Sequence, residues 1–340
     1  MKFGLLDSFT ETTIERKVLN GHEFVAYEAR SEEELPDEIE ELDGCLVWHY
    51  VKITEKTLDR MKNCKVIVRI GVGFDSVDIE EAGKRGIAVC NVPDYGTNDV
   101  ADHCMALLLA ACRSIPAYNN ALHDNVLSSW QPEIGGEIHR LTGANIGIVG
   151  MGRIGSSVAV RAKAFGMNVF FYDPYLPDGY DKAYQITRVE TLEELFALSE
   201  YVSIHTPLTE ETKGMIGKDL FNKVTKPITF INTARGGIVV LDDVYDALKE
   251  GKIRLFAADV LETEPPCLQH KLIKAFAEGE SYIRDKVILT PHAAFYAQES
   301  QTEMREKAAK HLADLAQGKA LKNCVNTQYL VNAKAKVKGL

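Results

Sequence analysis

The sequence predicts an α/β protein of two domains, each a doubly wound parallel sheet. Three observations lead there. Short apolar, β-rich runs alternate with helical patterns along nearly the whole chain, as expected of a parallel sheet covered on both faces. A run rich in turn residues at 93–98 splits the series in two. At 340 residues the chain exceeds what one hydrophobic core usually organises, and its 46% hydrophobic content is ample for two.

In the first series, strands are expected at 3–6, 24–27, 45–48, 66–70 and 88–92. The carboxylate-dense stretch 32–43 reads as a solvated helix face or loop. After the break, Asn98 or Asp99 is placed to cap an apolar helix running to about residue 113. Six further strands follow at 145–149, 168–172, 201–205, 228–232, 255–259 and 286–290. Thr191 with Glu194 reads as a capping box, and Gly166 and Gly251 stand where a helix must end in a left-handed residue. A long charged helix is expected over 298–317, ended by Gly318. Its natural course returns the chain to the first domain, giving domains of 1–98 plus 296–340 and of 99–295. The 22 residues after Gly318 are too few for a regulatory domain, and Lys334, Lys336 and Lys338 read as a solvated tail.

Composition narrows the function. Thirty-nine basic against 49 acidic residues leave a net charge of −10, which opposes a nucleic acid as direct ligand. The start carries a charge too early for a secretory core, and the longest unbroken apolar stretch, 105–112, is far short of the ~20 residues a membrane helix needs. Seven cysteines, at 45, 64, 90, 104, 112, 267 and 324, form no C-x-x-C pair and mostly sit in apolar runs. A cytoplasmic protein is expected. No His or Cys spacing suggests a metal, and His103, on an apolar helix, reads as a packing residue.

Two constellations carry chemistry. The first is Gly150-Met151-Gly152-Arg153-Ile154-Gly155, between a β run and a helical pattern. The first glycine permits the tight turn, the second lets the backbone approach a pyrophosphate, and the third lets helix and strand pack closely. Eighteen residues past Gly155, at a strand end, Asp173 can accept from the adenosine ribose hydroxyls and repel a 2′-phosphate, so NAD is expected over NADP. The second constellation is Arg235, Glu264 and His292, each just past a strand end, where ligands gather in open α/β sheets. Reduction of a 2-oxo acid by hydride needs a cation for the carboxylate and ketone and an acid for the forming alkoxide. Arg235 suits the first role because a planar guanidinium binds a carboxylate bidentately. His292 suits the second, and Glu264 would hydrogen-bond the imidazole, orient it and favour its charged form.

At these residues the sequence resembles the D-isomer-specific 2-hydroxyacid dehydrogenase family, over residues 43–326. The motifs are the fingerprint with Arg153-Ile154, Asn-Thr-Ala-Arg-Gly-Gly at 232–237, the segment 259–265 and Thr290-Pro291-His292. Within the family, Arg69-Ile70-Gly71, Gly73-Phe74-Asp75, Tyr172-Asp173-Pro174-Tyr175 and Asn323-Cys324-Val325-Asn326, among others, are similar to the C-terminal-binding-protein branch, which includes NAD(H)-sensing transcriptional corepressors. The resemblance implies a flavodoxin-like substrate domain, a Rossmann NAD-binding domain that forms a homodimer, and an active site in the cleft between them. It implies cofactor contacts from His205, Thr206, Pro207, Thr212, Thr233, Ala234 and Asp259 besides the residues above. It implies substrate contacts from His49, Tyr50, Arg69 and the amides near Val72 and Gly73. Phe295 departs from the branch, whose corepressors carry tryptophan there.

The expected activity is reversible, NAD-dependent interconversion of a 2-oxo acid and its D-2-hydroxy acid. A corepressor-like scaffold is the other reading; it predicts a peptide groove and extended tails, and the chain has almost no tails. A phosphoglycerate dehydrogenase often carries a C-terminal extension not seen here, and a formate dehydrogenase replaces the glutamate partner of the histidine.

Overall fold

A computed structural model describes all residues, 1–340. The chain divides into two compact units, Met1–Gly96 with Tyr296–Leu340, and Thr97–Phe295.

The first unit holds β1 (Lys2–Asp7), β2 (Glu23–Ala29), β3 (Gly44–Val47), β4 (Val66–Arg69) and β5 (Ala88–Cys90), all parallel in the order β2-β1-β3-β4-β5. This is the flavodoxin-like order. Alternation along the strands feeds two faces. Cys45, Val47, Ile67 and Val89 join Leu58, Met61 and Ala82 in one core. On the other face the helix Gln298–Ala316 packs over β3 and β4, so closely at Gly44 that an added Cβ would lie 3.0 Å from Leu312 Cδ2. The carboxylates of 32–43 are not all solvated. Glu32 accepts from the Thr54 and Thr57 amides, at 3.1 and 3.0 Å, and so serves the helix Glu55–Arg60 as a cap from outside its own segment. That pairing spans more than twenty residues, beyond any local pattern.

The C-terminal segment is stitched to β5 by Asn326, which is fully buried. Its Oδ1 accepts from the Val89 amide at 2.9 Å, and its Nδ2 donates to Ile79 and Ile87 carbonyls at 3.1 and 3.0 Å. Asn326→Ala leaves two buried backbone groups, the Val89 amide and the Ile87 carbonyl, without this partner, at ~1–3 kcal/mol each, so a loss of ~2 kcal/mol or more is expected in urea unfolding. A loss under ~1 kcal/mol would show that water replaces the amide.

The second unit holds β6 (Asn145–Val149), β7 (Asn168–Tyr172), β8 (Thr187–Arg188), β9 (Tyr201–Ile204), β10 (Ile228–Asn232), β11 (Ile253–Ala258) and β12 (Val287–Leu289). The order β12-β11-β10-β9-β6-β7-β8, all parallel, is that of a Rossmann sheet extended by one strand, with its switch point between β6 and β9. Six strands are expected from sequence and seven are present. The extra one, β8, has only two residues and offers no periodicity to read. One face buries Ile146, Ile148, Ile231 and Ala257 with Ala101, Leu108 and Val158 of two helices; the other buries Ile204, Phe230 and Phe256 with Phe196, Val244 and Leu272.

Several boundaries differ in detail. The helix Thr97–Cys112 already includes Asn98 and Asp99, so neither caps it; Asn98 instead accepts from Arg161 at 3.4 Å. Thr191 does accept from the Glu194 amide, but the return bond from Glu194 goes to the Glu190 amide, one residue earlier than in a capping box. Gly166, Gly251 and Gly318 all have the left-handed φ read from their positions. No single helix is long and apolar enough to cross a membrane.

Candidate active site

The fingerprint turn sits at the switch point and needs its glycines. Gly150 has φ +87°, and a Cβ there would lie 2.7 Å from Thr206 Cγ2. A Cβ on Gly155 would lie 2.0 Å from the Gly150 carbonyl oxygen. Around the Cβ position of Gly152, by contrast, nothing lies within 4 Å, which leaves the open approach a pyrophosphate requires. Arg153 begins the helix Arg153–Ala164 and is exposed, while Ile154 packs against the core beneath. The amides of this first helical turn lack intrahelical partners and favour an anion. Asp173, at the end of β7, accepts from the Met151 amide and from the Tyr175 amide, both at 3.0 Å. It thus braces the turn and opens the next one, and each oxygen keeps further acceptor capacity.

The strand ends beside the turn supply two hydroxyls, Thr206 Oγ1 and Thr233 Oγ1, that have no partner in the protein although buried. With the open face at Gly152, they fit a dinucleotide. His205 is placed differently. Its Nε2 lies 2.9 Å from Ser203 Oγ, and burial pushes its pKa down to about 3, so it is a neutral ring turned into the core. Its backbone lines the turn, the carbonyl oxygen 3.0 Å from where a Cβ on Gly150 would lie. Thr212 donates to the Pro207 carbonyl at 2.7 Å and accepts from the Thr209 amide at 2.8 Å, closing the loop that follows β9.

Arg235, Glu264 and His292 all belong to this unit, on the three loops that follow β10, β11 and β12. Asn232, buried at the end of β10, accepts from the Ala234 amide and donates to the Arg235 carbonyl, each at 3.0 Å, bracketing the turn that presents Thr233, Ala234 and Arg235. The Arg235 guanidinium donates to the Ala234 carbonyl at 2.8 Å. Gly236 then passes so near the segment after β11 that a Cβ would lie 1.9 Å from the Leu261 carbonyl carbon. Only glycine permits that approach of backbone to backbone.

Glu264 Oε2 lies 2.7 Å from His292 Nδ1, and Oε1 accepts from the Leu261 amide at 2.8 Å. Burial pushes the Glu264 carboxyl up, but the hydrogen bond and charge of His292, the Leu261 amide and the Arg235 charge together hold it below the ordinary value. With its folded value depressed, Glu264 adds stability above its unfolded value, and that contribution disappears as the pH falls through the folded one.

His292 has φ +52°, a left-handed conformation costly for a non-glycine residue. Asp259, buried at the end of β11, holds it there. Its carbonyl accepts from the His292 amide, its carboxylate accepts from the Ala293 and Ala294 amides at 2.8 and 2.9 Å, and Thr290 donates to it as well. His103 is a packing residue whose ring is satisfied by a hydrogen bond. Its Nε2 lies 3.0 Å from Thr290 Oγ1 and 3.7 Å from Asp259 Oδ1, which puts it behind the His292 loop. The contact crosses 187 positions, so helical periodicity alone could not show it. Phe295 stands edge-on to His292, ring centroids 6.1 Å apart.

His49, Tyr50, Arg69, Val72 and Gly73 all belong to the first unit. His49 and Tyr50 are exposed on the loop after β3, whose form is set by Asp7. That buried carboxylate accepts from the Trp48 amide at 2.7 Å and the Tyr50 amide at 2.6 Å. Arg69, buried at the end of β4, donates to the Ile70 carbonyl, and the Val72 carbonyl accepts from Asn91 Nδ2 at 2.6 Å. Sequence reading passed over Asp7 and Asn91, although each is a polar residue at the end of an apolar strand.

A parallel sheet with a glycine fingerprint at its switch point and free hydroxyls beside it defines a dinucleotide-binding protein. Comparison with known proteins gives the family. Residues 105–294, more than half of the chain, match the model of the D-isomer specific 2-hydroxyacid dehydrogenase, NAD binding domain. The chain belongs to that family, and the dinucleotide of this domain is NAD. It is 35% identical over 327 residues to D-3-phosphoglycerate dehydrogenase of Archaeoglobus fulgidus, covering 96% of this chain and 59% of that one. It is 36% identical over 296 residues to D-3-phosphoglycerate dehydrogenase of Methanocaldococcus jannaschii, covering 87% and 54%. The chain therefore spans little more than half the length of these curated relatives. Among solved structures, D-lactate dehydrogenase of Aquifex aeolicus, complexed with NAD and lactic acid, superposes with a TM-score of 0.79 at 29% identity over 93% of this chain and 96% of that one.

Proposed function

We propose that the chain is an oxidoreductase that interconverts a 2-oxo acid and its D-2-hydroxy acid with NADH and NAD. The observation that supports it most is the single polar cluster formed by the Arg235 turn, Glu264 and His292 at the strand ends of the NAD-binding unit. NAD, when bound, supplies or accepts the hydride. Arg235 pairs with the substrate carboxylate and polarises the ketone. His292 gives a proton to the forming alkoxide and takes it back in the oxidative direction. Because Nδ1 is engaged by Glu264, that transfer falls to Nε2. Glu264 is a positioning residue. Asp259, Thr290 and His103 hold the loop, and Gly150, Gly152, Gly155, Thr206 and Thr233 form the cofactor cradle. His49, Tyr50, Arg69, Val72, Gly73 and Phe295 are the proposed substrate-binding set.

The test is NADH oxidation against 2-oxo acids bearing a small, an apolar, an aromatic or an anionic side chain, including the oxidised form of 3-phosphoglycerate. Turnover of at least one is expected. NADH binding without any turnover would replace the enzyme by a corepressor-like binding protein.

Asp173 sets the choice of cofactor in this reading. A 2′-phosphate beside its carboxylate meets a like charge worth several kcal/mol, so kcat/KM for NADH should exceed that for NADPH by roughly 10²-fold. Asp173→Ala should narrow the ratio, and a wild type that prefers NADPH would overturn the assignment.

A homodimer through the NAD-binding unit is part of the same proposal. Its support is the apolar surface of Ile115, Val126, Leu127 and Trp130, each more than half exposed. The seven cysteines, all free, favour a reducing, cytoplasmic setting.

A further inference from the structure

We propose that Cys90 and Cys324 are a modification site, a dithiol that a small hydroperoxide converts reversibly to a disulfide. The two residues form an antiparallel bridge between the end of β5 and the C-terminal segment. The bonds on either side, Val325 amide to Val89 carbonyl at 2.8 Å and Asn91 amide to Asn323 carbonyl at 3.2 Å, flank the pair and do not join it. Cys90 and Cys324 therefore occupy a non-hydrogen-bonded position, where facing Cα atoms are ~4.5 Å apart and the side chains stand closest. That separation lies within the ~4.4–6.8 Å span of disulfides, so the backbone need not move to close the bond. The bridge sets the two residues side by side, and the Cys324 thiol donates to Asn326 Oδ1 at 3.2 Å.

The pair is also asymmetric, as a sensing pair must be. Cys90 is fully buried, while Cys324 is only half-buried. The Cys90 hydrogen bond outweighs burial and, with the Asn326 and Val89 backbone, holds the Cys324 thiol below its ordinary range, toward the reactive thiolate. Cys324 Sγ attacks one peroxide oxygen and the O–O bond breaks. The sulfur keeps that oxygen as a sulfenic acid, and the other oxygen leaves with a proton as water or an alcohol. Cys90 Sγ then attacks Cys324 Sγ, the S–O bond breaks, and the oxygen leaves as water with the Cys90 proton. Two thiols lose two electrons and the peroxide gains them. The bond would tie the C-terminal segment to the strand end from which Asn91 holds Val72.

The test uses the whole chain, with hydrogen peroxide as probe and alkylation of unfolded protein as readout. Seven alkylatable thiols should fall to five, peptide mapping should join Cys90 to Cys324, and dithiothreitol should restore all seven. Cys324→Ser should keep its remaining six. If Cys90→Ala folds, Cys324 should be trapped as a sulfenic acid by a dione reagent. Joining of Cys45 to Cys64 instead, or over-oxidation of Cys324 while Cys90 still alkylates, would overturn the proposal. So would persistence of both thiols at a peroxide level that oxidises the exposed Cys267. None of these readouts depends on enzymatic activity.

Discussion

His292→Ala should lower kcat for 2-oxo acid reduction by on the order of 10²–10⁴, the range for loss of a positioned general acid. The geometry gives two reasons to expect a large effect. The imidazole is oriented at 2.7 Å by Glu264. Its backbone is held at φ +52° by a buried aspartate that spends its carbonyl and both carboxylate oxygens on the loop. Alanine takes away the acid and keeps that scaffold, so NADH affinity measured by fluorescence titration should change by less than ~3-fold, under ~1 kcal/mol. Glu264→Gln preserves a hydrogen-bond acceptor but removes the charge, and should show an intermediate loss with an altered pH profile. A kcat unchanged in His292→Ala would remove the histidine from proton transfer.

The second large effect is expected at Arg235. Arg235→Ala should lower kcat/KM by ~10²–10³, the magnitude seen when one donor to a developing oxyanion is lost, with KM rising because the carboxylate also loses its partner. Arg235→Lys should recover only part, since an ammonium is a point charge without the planar fork. The turn itself depends on Asn232 and on the absence of a side chain at Gly236. Gly236→Ala, which forces a Cβ against the Leu261 backbone, should therefore lower activity while Arg235 is still present. Wild-type kcat/KM in Arg235→Ala would leave the substrate carboxylate to other groups.

Much of the fold was legible because a parallel sheet writes itself locally. Each buried strand is a short apolar run, each helix has its own period, and glycine marks where φ must be positive, as Gly150 and Gly166 do. β8 was not legible, since two residues carry no pattern. The helix Thr97–Cys112 was placed well but its start was not, because Asn98 serves Arg161 across the unit and not its own helix.

At the site, residue types and positions at strand ends were enough to nominate Arg235, Glu264 and His292, and the fingerprint was enough to nominate the cofactor. What those side chains do to one another was not encoded within any window of neighbours. His103 and Thr290 meet across 187 positions, Asp7 shapes a loop more than forty residues away, and Asn326 closes the sheet from 237 residues beyond Val89. The linear order thus determined the elements, their parallel arrangement and the chemical inventory, since propensity, periodicity and turn chemistry act over a few residues. The tertiary structure alone decided which buried carboxylate braces which loop, which histidine is a neutral core ring and which is paired with a glutamate, because hydrogen bonds and desolvation depend on distances that only the folded chain sets.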